Sequence, residues 1–87
     1  MPIHFSTKPG VYTVNTTVAF PACVNSVDVT CEISMEALQD HFNPASGKAA
    51  DLVAAFESNR AVIEATARVK LPVRIPLGRC LLVSGDF

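Results

Sequence analysis

The chain is short of most features that announce an activity. It has only four glycines in 87 residues, and neither G-x-x-x-x-G-K-[ST] nor G-x-G-x-x-G occurs, so a phosphate cradle is not expected. Its three cysteines, Cys23, Cys31 and Cys80, are an odd number with no C-x-x-C spacing. That argues against a disulfide framework and for a reducing, cytoplasmic setting. Together with His4 and His41 these cysteines supply no close ligand pair such as C-x-x-C or H-x-x-x-H, so neither a metal nor another cofactor is expected. No run of 18 apolar residues is present to span a membrane. The opening Met-Pro-Ile-His-Phe lacks the basic and apolar regions of a secretory signal. There is a single tyrosine, remote from the basic residues, so stacking on nucleic-acid bases is poorly served.

What the chain has in quantity is apolar residues, 49% of the total. A single small domain spanning 1–87 has limited interior in which to hide them. Some apolar surface is therefore expected, and a self-association face explains it economically.

The clearest pattern runs from Val18 to Ile33. Folded about Asn25-Ser26, it sets Val24 against Val27, Ala22 against Val29, Phe20 against Cys31 and Val18 against Ile33, all on one face. A one-residue slip would turn all of these side chains to water, so the register is well specified. Pro21 fits, because Pro21/Thr30 is a pair that exchanges no hydrogen bonds. The missing N–H then faces a preceding strand, Val11–Val14, which has ended by Pro21. Residues 1–10 read as an extended lead-in closed by Lys8-Pro9-Gly10.

Ser34 caps a first helix, with Glu36 in its first turn and Met35, Leu38 and Phe42 as its apolar stripe; Asn43-Pro44 ends it. A longer helix is expected from about Gly47 to Lys70, with Ala49, Leu52, Phe56, Ile63 and Ala67 facing inward and Pro72 as the stop. Residues 71–78, with two prolines, read as extended, and Arg79–Ser84 as a last strand whose direction stays open. The fold class that follows is α+β: an antiparallel β-meander or hairpin sheet packed on two helices, with a C-terminal strand, in the order β-β-β-α-α-β. The outer sheet face carries Ala19, Pro21 and Cys23 beside Asp28, Thr30 and Glu32. Cover by the chain ends or by a second copy is expected there.

With these elements placed, several segments form a recognisable pattern: Ile3-His4-Phe5, Val18-Ala-Phe-Pro-Ala22, Cys31-Glu-Ile-Ser-Met-Glu-Ala-Leu-Gln-Asp-His-Phe42, Phe56-Glu-Ser-Asn-Arg60 with Ile63-Glu64, and the ending Leu82-Val-Ser-Gly-Asp-Phe87. The pattern covers nearly the whole chain and resembles an uncharacterised bacterial family catalogued as domain of unknown function 1488. The resemblance implies a small stand-alone bacterial α+β protein and brings no activity with it.

Three residues stand out as binding candidates. His41 neighbours Asp40 on the first helix, but adjacent helical residues point about 100° apart, so Asp40 does not orient it for acid–base work. Asn59 falls inside the apolar stripe, three residues after Phe56 and four before Ile63. A buried amide must be bonded, either to a strand-end or loop carbonyl or, with Arg60, to a ligand or partner. Of the cysteines, Cys31 lies on the core face and Cys23 on the opposite one.

Charge is uneven: residues 1–59 carry a net −4 and residues 60–87 a net +3. No catalytic residue is assigned. The reading is a non-catalytic binding or interaction module, a homodimer or the adaptor of an unidentified protein partner, with Asn59, Arg60 and His41 as binding residues. The alternative is an anion or nucleic-acid binder through Arg60, Arg68, Lys70, Arg74 and Arg79, which predicts steeply salt-dependent binding.

Overall fold

The computed structural model describes residues 2–74 and 80–87. At its centre is the expected hairpin, formed by β3 (Thr17–Val24) and β4 (Val27–Ser34), with all four anticipated cross-strand pairs in register. Asn25 and Ser26 both adopt positive φ, 51° and 67°, which gives the two-residue turn the twist that the flanking strands need. The hairpin tip departs from expectation. Val27 is 62% exposed and Val29 only half-buried, although their cross-strand partners Val24 and Ala22 are buried.

Three short strands complete the sheet. β1 (Ile3–Phe5) and β2 (Val11–Tyr12) lie antiparallel along the same edge of β3, against Ala22–Val24 and Val18–Ala19 respectively. Pro21 falls in the gap between them, where no partner strand asks for its N–H; its carbonyl accepts from Ser6 at 3.3 Å. The first residues are thus a sheet strand rather than a lead-in, a role that a three-residue segment cannot signal by alternation. The segment that follows β1 flanks the outer face, where Lys8 and Pro9 border a hollow with Ala19, Pro21 and Thr30. Ala19, Pro21 and Cys23 are half-buried there. On the far side β5 (Cys80–Leu82) pairs with β4, and the pairing is parallel, so the order is β1-β3-β4-β5 with β2 also on β3. A parallel return requires a crossover, and the helices supply it.

Helix α1 (Met35–His41) begins where expected: Ser34 has extended backbone angles and its Oγ accepts from the amide of Ala37 at 3.1 Å. Ser34→Ala is expected to cost about 1 kcal/mol, read as a lower urea midpoint with an unchanged slope.

The anticipated long helix is two helices, α2 (Ala49–Ser58) and α3 (Arg60–Arg74). The break is a single residue, Asn59, whose φ of −121° and ψ of 21° turn the chain between them. Pro72 does not stop α3, which continues to Arg74; buried Leu71 and the pairing of Arg74 with Asp86 hold its last turn. Of the stretch expected to be extended, 71–74 is therefore helical, and residues 75–78, like Arg79, lie outside the described residues. A 3-10 turn at Ser84–Asp86 follows β5, which is shorter than the expected Arg79–Ser84 strand.

The three helices and one face of the sheet enclose the core. Phe20, Ile33, Leu38, Leu52, Phe56, Ile63, Leu71 and Leu82 are all fully buried, with the Phe20 and Phe56 rings 5.0 Å apart. The architecture is α+β, as expected, with one more strand and one more helix among the described residues.

Candidate interaction surface

Helix α3 positions most of the surface features of interest. Successive residues advance about 100° around it, which separates three faces. Ile63, Ala67 and Leu71 face the core and are fully buried. Arg60, Glu64 and Arg68 line one flank. Val62, Thr66, Val69 and Val73 line the other, within about 60° of one another.

On the first flank the arginines are committed to the N-terminal segment. Arg60 donates from Nη1 to the carbonyl of Lys8 at 2.8 Å and from Nη2 to that of Ser6. Its Nε pairs with Glu64 at 2.7 Å and its Nη1 with Glu57 at 3.1 Å, and the guanidinium lies 5.1 Å from the centre of the Phe56 ring. Glu57 in turn accepts from the buried amide of Gly10 at 3.1 Å. Arg68 donates to the carbonyl of Ile3 at 2.6 Å and lies over the ring of Phe5. Strand alternation turns that carbonyl away from β3, toward the open edge of the sheet, so Arg68 occupies a group that would otherwise invite another strand. A shallow cleft of about 350 Å³ beside Arg60, walled by Phe5, Thr7 and Ala61, remains open to solvent.

At the other end of α3, Arg74 donates to the carbonyl of Leu81 in β5 and forms a two-pronged pair with Asp86, at 2.6 and 2.7 Å. Asp86 also accepts from the amide of Val83 at 2.8 Å, and its side chain is only 7% exposed. The hydrogen bonds from Arg74 hold the Asp86 carboxyl at about 2, against the opposing effect of burial.

The three residues singled out from sequence do not converge on one site. Asn59 is half-buried and its amide donates to the carbonyl of Ala55, 2.9 Å away in its own helix, rather than to a strand end or loop. Arg60 follows it and serves as the clasp just described. His41 belongs to a separate cluster at the C-terminal turn. Its Nε2 lies 2.8 Å from the carbonyl of Ser84, which only accepts, so this nitrogen carries the proton. The Ser84 hydroxyl donates to Asp40 at 2.5 Å and lies 3.4 Å from His41. Serine, histidine and aspartate are thus neighbours, but the proton on Nε2 points at a backbone carbonyl and the serine proton at the carboxylate. That arrangement ties α1 to the terminal turn and aims no histidine lone pair at the hydroxyl. The ring of Phe87 packs edge-on against Phe42 at 5.3 Å and completes the tie.

The cysteines are free. Cys31 and Cys80 face each other across β4 and β5 and are fully buried. The hydrogen bond with Cys80, and burial after it, push the Cys31 thiol up, away from a reactive thiolate. Cys23 is half-buried on the outer sheet face. Among the described residues, no group of three or more His, Cys, Asp or Glu side chains is placed to hold a metal. Nor is any described helix long and apolar enough to cross a membrane.

The second flank of α3 was not singled out from sequence. Val62 is 55% exposed, and Val69 and Val73 are each 70% exposed. A groove of about 500 Å³ runs alongside the first two, lined by Val62, Ala65, Thr66, Val69, Lys70 and Asp86. Scattered exposed apolar residues are ordinary; three valines at helical spacing along one flank are not. Valine is also a poor choice for a solvent-facing helix position, where Ala, Glu, Lys or Arg would favour the helix more. The signal was available in the spacing 62, 66, 69, 73, but it was masked by the stronger Ile63–Ala67 stripe.

The family model described as Protein of unknown function (DUF1488) matches residues 3–74. No curated protein and no solved structure matches.

Proposed function

The chain belongs to the DUF1488 family, whose function is unknown, and from that premise we propose that it is a small interaction module that works by contact rather than catalysis and associates with a second copy of itself. One observation carries this reading: the exposed Val62–Val73 flank of α3, an apolar face on a helix whose opposite sides are already occupied by the core and the arginine clasps. Burying such a face removes apolar area from water, and its charged neighbours Lys70 and Asp86 stand at the border, 3.9 Å from each other.

An anion or nucleic-acid role for the basic stretch 60–79 draws less support. Arg60, Arg68 and Arg74 each donate to backbone carbonyls, and Arg60 and Arg74 also to carboxylates. Using them to hold phosphate would first release the sheet edges.

The area of one helix flank falls short of the roughly 800 Å² per partner typical of stable complexes, so the association is expected to be weak and concentration-dependent. Light scattering from micromolar to millimolar protein is expected to show the molar mass rising from one chain toward two, with no loss in high salt. A single-chain mass throughout would refute self-association. A complex that dissolves on adding salt would shift the reading to the charged residues.

A further inference from the structure

We infer that Cys31 and Cys80 are a redox-active pair, which a peroxide oxidises through Cys80 to a reversible disulfide between β4 and β5. The pair lies in the core, apart from the exposed flank of α3, and its chemistry does not depend on self-association.

Cys31 and Cys80 are register partners across the two strands, so their side chains share one face of the sheet. That face is the core, and both are fully buried free thiols. Adjacent strands lie about 4.8 Å apart, inside the Cα separation of about 4.4–6.8 Å that a disulfide spans. The Cβ atoms of a disulfide sit closer, at about 3.5–4.5 Å, so closing the bond draws the strands together. β5 can yield, being three residues long and last in the strand order. A bond under such strain is readily reduced, which suits a regulatory disulfide rather than a structural one.

The two thiols are not equivalent. They hydrogen-bond each other, and Arg74 stands close to Cys80 through its bond to the Leu81 carbonyl. The hydrogen bond with Cys31, and the Arg74 charge to a lesser degree, hold the Cys80 thiol below its ordinary value against burial and Asp86. Cys31 is pushed the opposite way and keeps its proton. Cys80 is therefore the attacking thiolate and Cys31 the resolving thiol.

In the first step the Cys80 thiolate attacks one oxygen of hydrogen peroxide and the O–O bond breaks. Hydroxide leaves and becomes water with the proton that Cys80 gave up, and Cys80 is left as a sulfenic acid. In the second step the Cys31 sulfur attacks the Cys80 sulfur. The S–S bond forms, the S–O bond breaks, and the Cys31 proton leaves with the hydroxyl as water. The pair has then lost two electrons and the peroxide has become two waters. Both sulfurs are covered in the closed sheet, so peroxide reaches them as β5 parts from β4, a local opening of three residues.

The test uses the full chain with Cys23→Ser, which leaves two thiols. Hydrogen peroxide in native buffer is expected to remove the mass of two hydrogens and both thiols titratable in denaturant, and peptide mapping to join Cys31 to Cys80. Dithiothreitol is expected to restore both thiols. In that background Cys31→Ala removes the resolving thiol and is expected to leave a sulfenic acid on Cys80 that dimedone traps, whereas Cys80→Ala is expected to leave Cys31 unlabelled. Should either alanine variant fail to fold, the result with both cysteines present still decides. Two thiols that persist in native buffer, or a bond that forms only where urea has unfolded the chain, would overturn the pair. Dimedone on Cys31 in Cys80→Ala would overturn the order of attack.

Discussion

Replacing Arg74 with methionine is expected to destabilise the fold by about 1.5–3 kcal/mol at neutral pH, the scale of losing hydrogen bonds to a charged carboxylate that is mostly shielded from water. Asp86 would keep the Val83 amide and Lys70, whose Nζ is 3.9 Å away, but would lose both prongs of the guanidinium. The carbonyl of Leu81 would lose a donor as well. Adding Asp86→Asn to Arg74→Met is expected to recover much of the loss, because the unpaired charge is then gone; a double-mutant cycle in urea measures the coupling.

The same pair gives the wild-type protein an acid limb. Asp86 is held at about 2, below the ordinary value near 3.9 for an unfolded chain. A carboxyl depressed in the folded state contributes stability that is fully present above its unfolded value. That contribution is lost as the pH falls from about 4 toward about 2, and it amounts to about 2 kcal/mol. Urea melts across that window should show the decline in wild type and a smaller one in Asp86→Asn. An equal decline in both would assign the acid sensitivity to other carboxylates.

Gly10→Ala is the second substitution expected to have a large effect, and its sign opposes the usual one. Exchanging glycine for alanine ordinarily stabilises slightly by restricting the unfolded chain. At Gly10 an added Cβ would lie 2.7 Å from Cγ1 of Val18 and 2.8 Å from the ring of Phe56, both fully buried side chains that cannot swing away. The amide of Gly10 is meanwhile fixed by Glu57, so the backbone cannot retreat without giving up that bond. Overpacking of this kind is expected to cost about 1–3 kcal/mol. Trimming the neighbour relieves part of it: in a Phe56→Leu background Gly10→Ala should cost less than it does alone, and additive losses would show that the strain arises elsewhere.

The site residues show how far local reasoning extends. Asn59 was picked out because a polar side chain interrupted an apolar stripe. The interruption is real, but it marks the end of one helix and the start of the next, and the amide turns back on Ala55. The excess of basic residues after Arg60 suggested an anion site. In the fold those arginines reach the carbonyls of Ile3, Ser6, Lys8 and Leu81. Sequence composition records the charge but not the partner, since a backbone carbonyl is present at every residue. The outward valines of α3 carry no separate mark in the sequence because, until the core face is known, an exposed valine and a buried one look the same.

What the sequence determined by itself is what repeats over a few residues. The Val18–Ile33 alternation fixed the hairpin, its register and its turn, because a period of two leaves one way to bury a face. Ser34 fixed the start of α1, because a cap acts only on the next turn. The α+β class followed, since a lone hairpin must be covered by the helices that come after it. The tertiary structure alone decided the rest: β1 at the sheet edge, the parallel direction of β5, the division of α2 from α3, and which flank of α3 is left to solvent. These depend on contacts between residues as far apart in the chain as Ile3 and Arg68. Such contacts are set by closure of the whole chain around one core and leave no periodic trace in either segment.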